Sequence, residues 1–309
     1  MRWKLPPVAT AAHFIHAAKN FSSFEPGRFS TLFGVTAETA ALTWNLCKDD
    51  CIVGMQAKHM LWALLLLKSH AKEGLLCAIV KASRPTCRKW AWKLIRIMCA
   101  KVPSVVSCRR RRCCCCCCKP KRKFINHNFV CCKILWSKRF EKDKGLTCKV
   151  YVDGTDYMIR EPKPFSKEWC CYKHKCAGLR YEIATCIQTG HIVWVNGPFK
   201  CGKWPDIKIF RQNLKHRLAP GEMVECDRGY RGDASCRHAD IAFNPADQRA
   251  KRRAASRHET VNGDLKRFGC LKQVFRHDKV LHKQVFGACV VLTQLGYNLG
   301  EGPKFQVTC

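Results

Sequence analysis

The sequence predicts an α/β protein in which a small all-helical region precedes a mixed sheet flanked by helices. Apolar residues recur with the spacing of amphipathic helices through the first hundred positions. From residue 147 onward the apolar pattern changes to the period of two that strands show. A basic, cysteine-rich stretch without apolar periodicity separates the two parts. We therefore divide the chain into a helical region (1–102), an insert or linker (103–133) and a core domain (134–309).

Local signals define the helices of the first region. Four helices are predicted, over residues 37–47, 59–69, 72–80 and 85–98. Thr36 is the expected N-terminal cap of the first of these helices. Ser83 and Pro85 have the residue types that open a helix, and they mark the start of the fourth. The longest apolar run, residues 60–67, is too short to cross a membrane, so we expect a core helix there.

The fourth predicted helix has two different faces. Trp90, Leu94 and Ile97 form an apolar stripe, which we expect to be buried. Three cations lie on the neighbouring face: Lys89, Lys93 and Arg96. A short helix, a tight turn and a basic helix are the outline of a helix-turn-helix, so these cations are candidate DNA contacts. A solvated face on a helical bundle is the alternative.

The stretch 103–133 combines a run of arginines, six consecutive cysteines and the basic cluster 119–123. It offers no repeating apolar face, so we expect it to contribute nothing to the folded core. The basic cluster has two functional interpretations, a nuclear address and a phosphate contact. The first of these predicts a nuclear protein. A stretch without function, such as non-coding sequence retained in a gene model, is the alternative.

The second half of the chain alternates between strand and helix signals. Strands are predicted over residues 147–152, 181–188, 191–196, 223–226 and 240–244. Helices are predicted over residues 205–218, 254–268 and 282–295. Thr189 and Gly190 supply a turn between the second and third strands, which form a hairpin. Three strands, a helix, a strand and further α/β elements are the order of a ribonuclease-H-like layer fold.

The charge of the chain indicates the class of partner. It has 56 lysines and arginines against 23 aspartates and glutamates, which gives a formal net charge of +33. Such a surface attracts a polyanion because each phosphate contact releases condensed counterions. Nucleic acid is therefore the expected partner. An anionic membrane surface is the alternative, but we find no long basic amphipathic helix and no signal-peptide core that would support it.

The sequence contains 25 cysteines. Adjacent cysteines cannot all pair or chelate with good geometry, so the run 113–118 specifies no disulfide scaffold. We expect most of the other cysteines to be small buried thiols in a reducing compartment. The set closest to a zinc-binding pattern is Cys170, Cys171, His174 and Cys176, but its spacing is not typical of zinc sites.

Three carboxylates are candidates for chemistry. Asp153 and Asp227 are expected at the C-terminal ends of predicted strands, where open α/β sheets place their sites. Glu259 lies on a predicted helix that can face the sheet. Carboxylate oxygens are the ligands that Mg²⁺ and Mn²⁺ prefer, and two such ions can clamp the attacking and leaving oxygens of a phosphoryl transfer. Taken singly, each acid also has a structural interpretation as a turn or first-turn residue.

Six motifs occur in one order along the second half of the chain. They are VDGTD (152–156), GLRYE (178–182), WVNGP (194–198), WPDI (204–207), CDRGYRG (226–232) and RHETVNGDLKRF (257–268). In this order they resemble the DDE superfamily endonuclease domain of Harbinger-type eukaryotic transposases, over about residues 147–300. The helical first hundred residues also resemble the region that precedes this domain in such proteins.

The resemblance implies a ribonuclease-H-like core that binds two Mg²⁺ or Mn²⁺ ions through Asp153, Asp227 and Glu259. It implies a DNA endonuclease and strand transferase that acts at transposon ends. Such elements often use a separate DNA-binding protein, and a second copy of this chain is another candidate partner. The alternative, from another class, is a catalytically inactive, domesticated DNA-binding protein.

Several residues near these motifs have less certain roles. Asp206 matches an acid that such families keep, but we interpret it as a helix N-cap, and Asp156 competes with Asp153 for the first catalytic position. Asn262, one turn after Glu259, is expected to orient that carboxylate. His258 is expected to be packed or exposed rather than catalytic. Candidate phosphate contacts near the metals, with solvated surface cations as the alternative, are Lys173, Arg180 and Lys266.

Overall fold

The structure is a computed structural model, which describes residues 9–19, 28–106, 148–238 and 245–302. The described part of the N-terminal region is helical. Its helices are α1 (Ala11–Ala18), α2 (Phe29–Phe33), α3 (Ala37–Cys47), α4 (Ala57–Ser69), α5 (Glu73–Val80), α6 (Arg84–Ala100) and α7 (Val102–Val105). Most of the predicted insert and the strand predicted over residues 240–244 lie outside the described residues.

Hydrogen bonds confirm the two predicted helix caps, Thr36 and Ser83. The Thr36 side chain accepts a hydrogen bond from the backbone N–H of Thr39, which caps α3. The Ser83 side chain accepts one from the N–H of Thr86, and Pro85 lies in the first turn of α6. Such caps satisfy amide groups that have no partner within the helix, which is why short polar residues at these positions define its start.

Helix α4 carries the longest apolar run of the chain, and its residues 60–67 are all buried. They pack against α1, α2 and α6, so the run forms a core helix, as predicted. In the part of the chain that the structure describes, no helix is long and apolar enough to span a bilayer.

The buried face of α6 differs from the predicted stripe. Leu94 is buried, but Trp90 and Ile97 are only partly buried, and the Trp90 ring stacks on His59 with a centroid separation of 4.7 Å. The residues that α6 buries are Cys87, Ala91, Leu94, Ile95 and Met98. The stripe is shifted because α6 packs mainly against both α4 and the helix Lys279–Asn298, so its apolar contact is wider than one stripe.

The first residues of the predicted insert belong to the core. Val102 and Val105 of α7 and the following Val106 are buried, and α7 packs against the helix Lys279–Asn298. The predicted insert boundary at residue 103 is therefore wrong by at least four residues. Three buried valines continue the apolar surface of α6, which composition alone did not show.

The second half of the described chain builds a six-stranded mixed sheet. Its strands are β1 (Cys148–Met158), β2 (Cys170–Cys171), β3 (Cys176–Cys186), β4 (Ile192–Lys200), β5 (Met223–Cys226) and β6 (Cys236–Arg237). Strands β4 and β2 both pair with one edge of β3, which is followed across the sheet by β1, β5 and β6. The pairs β1–β3 and β3–β4 are antiparallel, whereas β1–β5 and β5–β6 are parallel. This is the predicted mixed, ribonuclease-H-like sheet.

Four further helices flank the sheet in the described residues. They are α8 (Asp206–Gln212), α9 (Pro245–Lys266), α10 (Gly269–Lys272) and α11 (Lys279–Asn298). Helix α9 packs on β1, β3 and β5. Helix α11 is buried along most of its length and contacts α3, α6 and α7 as well as β4, so the N-terminal helices and the sheet share one apolar core.

His282, near the start of α11, makes this core sensitive to pH. Its ring is fully buried, and its Nδ1 lies 2.9 Å from the Tyr181 hydroxyl. Burial, with a smaller contribution from His70, lowers the pKa of His282 to about 3. A histidine with a lowered folded-state pKa stabilises the protein above its unfolded pKa of about 6.5, and this stability is lost as the pH falls toward the folded value.

We therefore expect the free energy of unfolding of the parent to fall relative to that of His282→Gln by about 2 kcal/mol between pH 7.5 and pH 5. Urea unfolding of both proteins at each pH measures this difference. Glutamine is the comparison because it does not titrate. A difference that stays constant with pH would show that His282 accepts a proton in the folded protein as readily as in the unfolded chain.

Candidate active site

Asp153 and Asp227 leave neighbouring strands at the same level of the sheet. In the parallel pair β1–β5, Val152 is the partner of Cys226. Asp153 and Asp227 are the residues that directly follow this pair, one on each segment. Asp227 follows the end of β5, as predicted. Asp153 does not end its strand, because β1 continues to Met158 through its pairing with β3. It lies instead where β1 loses its parallel partner, and this places both carboxylates at one edge.

Local hydrogen bonds orient these two carboxylates. Oδ1 of Asp153 accepts a hydrogen bond from the N–H of Gly154 at 2.7 Å. Oδ1 of Asp227 accepts one from the N–H of Gly229 at 2.8 Å and thereby caps a short 3₁₀ turn. Asp153 is half-buried and Asp227 is exposed. The carboxylate of Asp227 is thus open to solvent beside one that is partly sheltered.

The pKa of Asp153 is raised by burial and by the neighbouring acids. Burial raises it, followed by the charges of Asp227 and Asp206, and it reaches about 7; the Glu259 charge adds to the same shift. Carboxylates that raise each other's pKa repel one another, and a bound cation would relieve this repulsion. The charges of Asp227 and Glu259 therefore both act on Asp153, so the three predicted acids belong to one acidic site.

Asp206 is a fourth member of this site, and its predicted role as a helix cap is wrong. Pro205 is the N-cap of α8, and the Asp206 side chain makes no capping hydrogen bond. Its carboxylate instead lies over Gly154, where a Cβ atom would be 1.8 Å from Oδ1. A Cβ on Gly229, in the turn after Asp227, would be 3.2 Å from Oδ2. Asp206 is therefore between the segments that carry Asp153 and Asp227.

The two carboxylate oxygens of Asp206 have different surroundings. Oδ2 accepts a hydrogen bond from Nη1 of Arg180 at 3.2 Å. Oδ1 is buried and has no hydrogen-bond partner among the described residues. Burial raises the pKa of Asp206 to about 6, although the Arg180 guanidinium opposes the shift. A buried carboxylate oxygen without a hydrogen-bond donor, next to Gly154, is a position that a cation would satisfy.

Glu259 is on α9, the helix that packs against β1 and β5, as predicted. Its side chain is exposed. Within the described residues, the ligand atoms of Asp153, Asp227 and Glu259 do not all three lie within 4.8 Å of one another; the group that meets this spacing is Asp156, Cys171 and Cys201. Without a cation, mutual repulsion favours such a separation of these acids.

Arg180 and Asp156 form an internal ion pair. This differs from their predicted roles, which were a phosphate contact for Arg180 and an alternative first catalytic position for Asp156. Nε and Nη2 of Arg180 donate to the two Asp156 oxygens at 2.7 and 2.8 Å. The Arg180 side chain is only 17% exposed, so it is not available as a DNA phosphate contact. Burial would raise the pKa of Asp156, but Arg180 outweighs this effect and holds it below its usual value. Asp156 therefore supports Arg180, which in turn contacts Asp206.

The prediction for Asn262 is also corrected. Its Oδ1 accepts a hydrogen bond from the Thr155 hydroxyl at 2.8 Å, and its Nδ2 lies 3.3 Å from Nδ1 of His258. Asn262 is buried and joins α9 to β1 instead of contacting the Glu259 carboxylate. His258 is buried, as expected. These contacts still fix the helix that carries Glu259 against the strand that carries Asp153.

The other predicted phosphate contacts, Lys173 and Lys266, take no part in the described contacts of Arg180, Asp156 and Asn262. Lys173 is exposed in the turn between β2 and β3, and Lys266, the last residue of α9, is half-buried. Both side chains reach the surface, but no described contact connects them with the carboxylates. Their role as phosphate contacts remains a prediction.

A groove of about 570 Å³ opens beside Asp227 and was not predicted as a site. Its lining comes from Tyr151, Asp227, Arg228, Gln248, Lys251, Arg252 and Ala255. Nζ of Lys251 donates to Glu225 Oε2 at 2.8 Å and to the Cys226 carbonyl at 3.0 Å, which holds the end of β5 against α9. The basic run 249–253 was visible in the sequence, but its position next to Asp227 depends on how α9 crosses the sheet.

A mixed sheet of this order, with acids on β1, after β5 and on a crossing helix, defines a ribonuclease-H-like nuclease architecture. Residues 152–294 match the family model of the DDE superfamily endonuclease, which supports a DDE-type endonuclease domain in this part of the chain. No curated protein and no solved structure matches the chain.

Proposed function

We propose that this protein is a transposase-like, divalent-metal-dependent endonuclease and strand transferase of the Harbinger type, which cuts phosphodiester bonds at transposon ends. The observation that carries the proposal is the pairing of Val152 with Cys226, which brings Asp153 and Asp227 out of adjacent strands side by side. The proposal is also supported by Asp206, whose carboxylate lies against Gly154 at the same edge.

The residues present fit a site for Mg²⁺ or Mn²⁺. All candidate ligands are carboxylate oxygens, which hard divalent cations prefer. The buried Oδ1 of Asp206 has no partner in the described chain, and burial, followed by the charges of Asp227 and Asp206, raises the pKa of Asp153. We propose that Asp153 and Asp227 hold two ions, that Glu259 completes the ligands of one, and that Asp206 is an additional ligand. Such ions supply an activated water and stabilise the leaving oxygen.

The residues of the chain then have distinct tasks. In the proposed groove the cationic side chains of Arg228 and Arg252 attract the DNA phosphates, while Lys251 keeps the end of β5 in place. Through the cations that they would hold, the carboxylates would position the phosphodiester for attack of water on phosphorus in line with the 3′-oxygen, which would leave as a hydroxyl. In strand transfer the same carboxylates would orient that 3′-hydroxyl toward a target phosphate.

A metal-dependent nicking assay tests the proposal. Supercoiled DNA is incubated with the protein and Mg²⁺ or Mn²⁺, with EDTA and the Asp153→Asn protein as controls. We expect nicked DNA only with the parent protein and a divalent cation. The competing function is an inactive, domesticated DNA-binding protein. Salt-sensitive DNA binding without nicking under any cation would favour that alternative over the endonuclease.

The basic face of α6 is a proposed second DNA surface. Lys89 and Arg96 are exposed and Lys93 is half-buried. Nζ of Lys89 lies 4.8 Å from the centre of the Trp90 ring, and Nε of Arg96 donates to Gln284 at 3.2 Å, so both cations are held near the surface of a packed helix. The turn between α5 and α6 spans three residues, as a helix-turn-helix requires.

We expect the combined change Lys89→Glu, Lys93→Glu and Arg96→Glu to weaken DNA binding. If each cation contacts one phosphate, the slope of log affinity against log salt should become shallower by roughly 2 to 3. Fluorescence anisotropy at several salt concentrations measures both quantities, and circular dichroism checks that the variant is folded. An unchanged affinity and slope would remove α6 from the DNA interface.

We also propose a nuclear location, a separate DNA-binding partner protein and self-association. The nuclear location rests on the basic cluster 119–123 and on the expected DNA substrate. Microscopy of a fluorescent fusion, with the cluster intact and with its lysines and arginine replaced by alanine, tests the location. Exclusion of the intact fusion from the nucleus would contradict it.

A further inference from the structure

A second cluster of potential metal ligands lies on another part of the sheet. One ligand atom each from Asp156, Cys171 and Cys201 lies within 4.8 Å of the other two. Sγ of Cys171 is 3.1 Å from Oδ2 of Asp156. These residues come from three separate strands or strand ends, so the fold and not the local sequence assembles the cluster.

Two glycines make this close approach possible. A Cβ on Gly178 would lie 2.9 Å from Sγ of Cys201 and 3.1 Å from Cβ of Cys171. A Cβ on Gly202 would lie 2.2 Å from the carbonyl oxygen of Lys167, just before β2. The absence of both side chains lets the end of β4 dock against the start of β2. The two thiols therefore converge in a preformed corner.

The corner is also fixed by hydrogen bonds and shielded from water. The N–H of Gly202 donates to the carbonyl of Glu168 at 2.9 Å, and the Glu168 carboxylate pairs with Lys203 at 2.8 Å. Cys171 and Cys201 are 2% and 6% exposed. Burial raises the pKa of the Cys201 thiol above its ordinary value, so without a cation it keeps its proton.

We propose that Asp156, Cys171 and Cys201 form a binding site for a thiophilic divalent cation, with Zn²⁺ as the ion that fits best. Thiolate sulfur with one carboxylate oxygen is a donor set that Zn²⁺ accepts and Mg²⁺ avoids. On binding, both thiols lose their protons to solvent, two Zn–S bonds form, and no oxidant or reductant is needed. Cys176, the partner of Cys171 across the β2–β3 ladder, is half-buried and is the neighbouring thiol for the fourth position.

The site would be structural rather than catalytic. Asp156 already receives two hydrogen bonds from Arg180, and Arg180 contacts Asp206. A cation that ties β1 to the β2–β3 hairpin would therefore stiffen the strand from which Arg180 reaches the proposed active site. Of the zinc-like set seen in the sequence, Cys171 belongs to the cluster, whereas His174 is exposed.

Zinc binding by the full chain tests this inference. Because the consecutive cysteines 113–118 can bind zinc themselves, the test uses a background in which these six are serine. The protein is reduced, freed of metal and titrated with Zn²⁺ in excess Mg²⁺, which occupies the carboxylate site. The double variant Cys171→Ser with Cys201→Ser is compared with the matched control Cys270→Ser with Cys289→Ser. The control removes another buried pair, whose sulfurs are 3.8 Å apart.

We expect the background protein and the control to bind one zinc ion over ~100-fold more tightly than the double variant. A loss of this size exceeds the effect of removing a residue that only hydrogen-bonds to a metal ligand. Co²⁺ added to the background protein should give a thiolate-to-cobalt charge-transfer band, which requires no variant to fold. Equal zinc affinity in the double variant, or absence of that band, would overturn the proposed site.

Discussion

Replacing Asp227 with asparagine should lower the rate of DNA cleavage by about 10³-fold or more, equivalent to ~4 kcal/mol of transition-state stabilisation. Asparagine keeps the shape of the side chain and can still accept the hydrogen bond from Gly229, but it removes a negative ligand from an exposed position beside Asp153. Single-turnover cleavage of a labelled duplex in Mg²⁺ measures the effect, and the affinity for DNA should stay close to that of the parent.

Asp278→Asn is the matched control for this change. Asp278 caps α11 by accepting a hydrogen bond from the N–H of Val280 at 2.9 Å, and asparagine caps helices about as well as aspartate. We expect this variant to cleave at the parental rate. If Asp227→Asn also retained the parental rate, Asp227 would not be a metal ligand and the proposed catalytic set would fail.

Gly154→Ala should lower cleavage by about 10²-fold, because a displacement of about 1 Å at a reacting group has an effect of that size. The new Cβ would lie 1.8 Å from Oδ1 and 2.8 Å from Cγ of Asp206, so that carboxylate must move. The same measurement of single-turnover cleavage applies. Metal affinity should fall in parallel, since Asp206 would leave the position beside Asp153.

Gly263→Ala is the control for the glycine change. Gly263 lies on α9, and a Cβ there would meet nothing within 4 Å. Alanine in a helix is favoured over glycine by roughly 1 kcal/mol, so this variant should be more stable with unchanged cleavage. Asp206→Asn tests the role of Asp206 directly: reduced cleavage supports the metal-ligand interpretation, and a parental rate would exclude Asp206 from the metal ligands.

The carboxylate pair was accessible from sequence because strand periodicity and motif order both indicate Asp153 and Asp227. The contribution of Asp206 was visible only as a motif position, and its residue type fits a helix cap equally well. Arg180 was predicted as a phosphate contact because its partner, Asp156, is 24 residues away along the chain. Residue types alone do not show which cations the folded protein neutralises internally.

In helix α6, too, some features follow from the local sequence and others depend on tertiary contacts. Its start at Ser83 and its amphipathic character follow from local residues, and the structure confirms both. The orientation of its buried face depends on α4 and α11 together, which shifts the burial away from Trp90. Helix α7 is short and has no periodicity of its own, so only its contact with α11 reveals that it belongs to the core.

The sequence by itself determined the helix starts, the alternation that makes the strands, the basic character and the motif order of the endonuclease superfamily. These features depend on hydrogen bonds and spacing over a few residues, or on composition. The tertiary structure decided which acids lie close together. The strand register, and the absence of a side chain at Gly154, place Asp206 near Asp153 and Asp227. It also decided that Asp156, Cys171 and Cys201 converge, since contacts between distant segments depend on how the strands pair and not on any local pattern.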